Sequence, residues 1–68
     1  MNTNIQIKPW TGGVYAIWAN NYFVGTLHIA NIDDPCNTSK VIISNPVDVV
    51  LITDIAETVR LFVYNLAD

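Results

Sequence analysis

The chain has 68 residues, 51% of them apolar and only 13% charged, with a formal net charge of −3. That length allows one domain burying roughly 60% of its unfolded surface, and that apolar content excludes a disordered chain. Its three cations, Lys8, Lys40 and Arg60, cannot neutralise a phosphate track, which argues against direct nucleic-acid binding.

Asn4-Ile5-Gln6-Ile7-Lys8 alternates apolar and polar residues, the period of a half-buried strand, and Pro9 is expected to end it. Thr11-Gly12-Gly13 supplies a bend into the next strand. Val14 to Ala19 and Tyr22 to Ile29 then flank Asn20-Asn21, a pair suited to a type I′ turn because Asn tolerates positive φ. The hairpin register pairs Ala19 with Tyr22, Trp18 with Phe23, Ile17 with Val24, and Ala16 with Gly25. Gly25 leaves a thin spot that suits a close helix approach or a bulge. Asn31 to Ser39 is rich in turn-forming residues and is expected to be a loop. Lys40 to Ser44 reads as a short strand with Val41 and Ile43 inward and Ile42 outward.

Asn45-Pro46-Val47-Asp48 has the chemistry of a helix start, with Asn45 as cap, Pro46 at the first position and an early acid. Beyond it Ile52, Ile55, Ala56, Val59, Phe62, Val63 and Leu66 fall on one helical stripe, with Thr53, Glu57, Arg60 and Tyr64 opposite. A rival reading makes residues 47–52 a fifth strand, because β-branched residues crowd there, and starts the helix at Asp54 with Thr53 as cap. The expected fold is α+β: a single domain, residues 1–68, with an antiparallel sheet of four strands, or five in the rival reading, and one C-terminal helix packed on one face.

Unbroken alternation along the hairpin sends Val14, Trp18, Phe23, Leu27 and Ile29 to one side and Tyr15, Ile17, Tyr22, Val24 and His28 to the other. One helix covers one side only. With the first set taken as core, the second set, joined by Ile42, becomes an uncovered apolar and aromatic face of the kind that marks an interaction surface. Tyr15, Ile17, Tyr22, Val24, His28 and Ile42 are therefore the candidate partner-binding residues.

Catalytic, metal and cofactor signatures are absent from the sequence. His28 is the single histidine and Cys36 the single cysteine, and together they make no metal-ligand spacing. Asp33 and Asp34 beside Cys36 disfavour a reactive thiolate, and the Asp-rich loop lacks the spacing of a calcium-binding hand. Gly12-Gly13 precedes a strand rather than a helix, so it is a bend and not a phosphate loop.

With a lone cysteine, no leader-like segment and no apolar run of membrane-spanning length, the sequence suggests a reducing cytoplasm. The expectation for function is a small non-enzymatic protein-interaction module. Its most concrete form is an inhibitor that occludes a site on a larger protein, as in the anti-defence proteins of phages and mobile elements. The alternatives are an obligate homodimeric structural or accessory subunit and a small-ligand-binding protein. The expected partner is a protein or a second copy of the chain, with no nucleic acid, membrane or cofactor.

Overall fold

Asn20 and Asn21 both take positive φ, 52° and 70°, so the central hairpin closes on the two-residue turn that their chemistry favours. In the computed structural model, which describes residues 4–66, that hairpin is the middle of a four-stranded antiparallel meander. The strands are β1 (Ile5–Thr11), β2 (Val14–Ala19), β3 (Tyr22–Ile29) and β4 (Ser39–Ile43), adjacent in chain order. A short helix, α1 (Pro35–Thr38), interrupts the connection from β3 to β4, and a long helix, α2 (Val49–Leu66), ends the described chain. The fold is α+β, with α2 laid on one face of the sheet.

Pro9 does not end β1. It lies inside the strand, which tolerates a missing amide donor because β1 is an edge. The predicted loop contains α1, whose turn is fastened by side chains. The single Thr38 hydroxyl proton lies between the carbonyls of Asn31 and Asp34, 3.1 and 2.8 Å from its oxygen, and the Asp33 amide donates to Asn31 Oδ1 at 3.0 Å.

Residues 47–52 form no fifth strand. Helix α2 starts at Val49, later than the Asn45-Pro46 start expected, and Asp48 rather than Asn45 caps it. The Leu51 amide donates to Asp48 Oδ1 at 2.8 Å, satisfying one of the donors that a helix start leaves without an intrahelical partner. The buried stripe runs through Ile55, Val59 and Val63, flanked by Leu51, Phe62 and Leu66. Ile52 is 44% exposed and Ala56 is also exposed, so the buried stripe is narrower than the one the spacing predicts. Ala56 follows Ile55, and one residue turns the helix by about 100°.

Two irregularities decide which strand residues meet that stripe. In the hairpin, Trp18 pairs with Phe23 and Ala19 with Tyr22, but Ile17 pairs with Gly25 rather than Val24. Val24 is thus an extra residue in β3, a β-bulge. It is held from outside the hairpin: the Val24 carbonyl accepts from the amides of Ser44 and Asn45 at 2.9 and 3.2 Å, while Asn45 Nδ2 donates to the Phe23 carbonyl at 2.6 Å. Gly25 is required here, since a Cβ at this position would collide with the Ile42 carbonyl of β4. The second irregularity is in β1, where the register shifts between Pro9 and Thr11 and leaves Trp10 as the extra residue.

An extra residue inverts the alternation beyond it. Leu27 and Ile29 therefore share a face with Ile17, not with Trp18, and the core is Ile17, Ala19, Val24, Leu27 and Ile29 under Ile55, Val59 and Val63. Tyr15 joins its margin, its ring edge-on to Phe62 at 5.2 Å between centroids. The face expected to be open is, over most of its length, the covered one.

Candidate functional site

The side of the sheet away from α2 carries an aromatic cluster. Trp18 and Phe23 are cross-strand partners, with ring centroids 5.7 Å apart in an edge-to-face arrangement. Trp10, pushed out by its bulge, lies over the same side with its ring 6.4 Å from Phe23, again edge-on. Edge-to-face contacts of this kind hold aromatic rings in fixed relative orientation. Together with Lys8, Pro9 and Ala16 the three rings line an open concavity of about 430 Å³. Trp10 is 64% exposed, a large amphipathic ring in water.

Toward the other end of this face lie Val14, Thr26, His28, Lys40 and Ile42. The pairings Ala16 with Thr26, Thr26 with Ile42, Val14 with His28 and His28 with Lys40 place them all on one side. Thr26 is buried at 8% exposure, and its hydroxyl makes a 2.9 Å hydrogen bond with His28 Nε2. That contact spends one imidazole nitrogen on the sheet and fixes the ring.

The charges divide between the two layers. Lys8 lies opposite Ala16 and Lys40 opposite His28, so two of the three cations stand on the open face. Among the described residues the acids lie elsewhere: Asp33 and Asp34 before α1, Asp48 at the cap of α2, and Asp54 and Glu57 within α2. Asp68, the remaining acid, is outside the described residues.

The candidate residues taken from the sequence separate accordingly. Tyr15, Ile17 and Val24 do not lie on an uncovered face; Ile17 is 0% and Val24 3% exposed, beneath the helix, and Tyr15 is half-buried against it. Tyr22 is 77% exposed but belongs to the helix side, at the rim of a depression between the turn and the start of α2. His28 and Ile42 are on the open face. The residues that dominate that face, Trp10, Trp18 and Phe23, were missed. Unbroken alternation puts Trp18 and Phe23 in the core, and the signal against it is Gly25 in mid-strand, where a bulge reverses the two faces.

Cys36 is exposed on α1. Among the described residues no three His, Cys, Asp or Glu side chains gather as metal ligands, and no helix is long and apolar enough to cross a membrane. No protein-family model, curated protein or solved structure matches the chain.

Proposed function

We propose that the protein is a small non-enzymatic interaction module that works by docking its open sheet face on another protein and occluding a site there. The observation that carries this reading is the Trp10–Trp18–Phe23 cluster, three rings set edge-to-face on a side that no element of the described chain covers. Tryptophan and other aromatic anchors dominate binding energy where they are rigid and centrally placed. An inhibitor of the anti-defence type is the concrete form, consistent with a small acidic chain whose recognisable chemistry is a surface. The test is a photo-reactive benzophenone side chain placed at position 10, with a control at Tyr64 on the exposed side of α2. Cross-links from position 10 to one discrete protein, lost with Trp18→Ala and absent from position 64, are expected. Equal adducts from both positions would remove the face from the reading.

A second reading, a homodimer, has its own observation. The β1 edge is guarded by Lys8, Pro9 and a bulge, whereas the β4 edge exposes Val41, Ile42 and Ile43 by 38, 42 and 37%. Ser44 donates to Val24 and the Thr38 carbonyl accepts from Ala30, so even-numbered positions of β4 bond to β3 and the groups of Val41 and Ile43 point outward. Two copies pairing these edges about a two-fold axis would set Lys40 against Ile42 or Ser44 of the second copy, with no like charges opposed. Light scattering then shows a dimer that Val41→Pro dissociates, because the proline removes only an outward donor. A monomer at millimolar concentration would end this reading.

A further inference from the structure

Two of the three cations, Lys8 and Lys40, stand on the open face, while the described acids lie on α2 and in the loops with Arg60 alone among them, so positive charge faces one way and net negative charge lies elsewhere. Resting on the reading of the open face as a docking surface, we infer that its occupant is a short extended protein segment with an aromatic or proline anchor, one acidic residue beside it and a second further along. The anchor fills the concavity lined by Trp10, Trp18 and Phe23, whose volume of about 430 Å³ falls in the range of roughly 300–1,000 Å³ usual for ligand pockets. A carboxylate beside the anchor reaches Lys8, and a second, further along the segment, reaches Lys40.

The spacing follows from sheet geometry. Lys8 belongs to the row Lys8–Ala16–Thr26–Ile42, and Lys40 to the next row along, opposite His28 and Val14. Three inter-strand steps of about 4.8 Å and one two-residue step of about 6.8 Å separate their backbones by about 16 Å. An extended chain covers that distance in about five residues. Lys8 is itself a wall of the concavity, whereas Lys40 stands at the far end of the face, so the matched ligand carries one acid beside its anchor and a second about five residues further on.

Charge also separates this occupant from its competitors. A nucleic acid would find aromatic rings to stack on, but two lysines neutralise only about two phosphates of a longer polyanion. A second copy docked face to face would bring like lysines together. Docked face to back it would match charges, but that head-to-tail contact would build rings or filaments rather than a simple dimer.

The experiment is selection of a random twelve-residue peptide display library on the full chain and, in parallel, on the double variant Lys8→Glu with Lys40→Glu. Both lysines are exposed, so circular dichroism should show the variant folded. Peptides enriched on the parent are expected to carry Asp or Glu beside an aromatic or proline residue and a second acid about five residues further on, and those enriched on the variant to carry Lys or Arg at those places instead. Calorimetry on the best parental peptide should show at least tenfold weaker binding to the variant, and to the parent when its acids are changed to amides. Enrichment on the aromatic cluster with no acidic preference, lost with Trp18→Ala, would overturn the inference and leave the docking surface standing. No enrichment at all would overturn both. Tighter binding of a fifteen-nucleotide oligo(dT) than of any selected peptide would make this a nucleic-acid face, and a concentration-dependent ladder in light scattering would make the occupant a second copy.

Discussion

The two faces of the sheet come from the same four strands, yet they differ in chemistry. The helix side collects Ile5, Ile7, Ile17, Ala19, Val24, Leu27 and Ile29, aliphatic side chains that pack without polar atoms to satisfy. The other side collects Gln6, Lys8, Thr26, His28 and Lys40 around three aromatic rings. Without the extra residue at Val24, Leu27 and Ile29 would sit with Trp18 and Phe23, while Thr26 and His28 would fall beside Ile17. The helix would then have either to cover the bulky rings together with Leu27 and Ile29, or to cover the Ile17 side and bury a hydroxyl and an imidazole. One inserted residue therefore sorts the sheet into a dry face and a recognition face.

The largest effects should come from breaking the dry face. Leu27→Ala or Ile55→Ala should lower stability by about 2–5 kcal/mol in urea unfolding, a large part of the roughly 3–10 kcal/mol expected for a chain of this length. Trp10→Ala serves as the matched loss on the other side. A cost for Trp10→Ala equal to that of Leu27→Ala would mean that the faces are not divided as described.

The bulge itself is the next target. Gly25→Ala forces a methyl group against the Ile42 carbonyl, and overpacking of this kind costs about 1–3 kcal/mol. Asn45→Ala removes a hydrogen bond to the bulged segment and should cost about 0.5–1.5 kcal/mol. If both variants melted with the parent in calorimetric scans, the bulge would not be what sorts the strands.

A smaller effect tests where the helix begins. Asp48→Ala should cost about 1 kcal/mol through loss of the cap to the Leu51 amide, and Asp48→Asn should retain most of it. An equal cost for both would assign the effect to charge rather than to capping.

Smallest of all, Trp10→Ala and Cys36→Ser should each change stability by no more than about 0.5 kcal/mol, as exposed positions usually do. Trp10→Ala should nevertheless weaken the docking expected of the open face, while Cys36→Ser should leave it unchanged. That pair of results would separate the recognition face from the rest of the surface.

The local elements were legible because their causes are local. Two asparagines set the turn, alternation in Ile5 to Lys8 sets a strand, and the spacing from Ile55 to Leu66 sets a helix period. Each depends on groups within a few residues of one another. The choice of face was not of this kind. It turns on Val24 as an extra residue, and that bulge is held by Ser44 and Asn45 from beyond β4. Gly25 hinted at a bulge without stating its phase, and period-two alternation turns a one-residue error into a reversal of every side chain beyond it. The sequence alone therefore determined the strands, the hairpin and the helix, while tertiary contacts decided which side of the sheet the helix covers and left Trp10, Trp18 and Phe23 on the other.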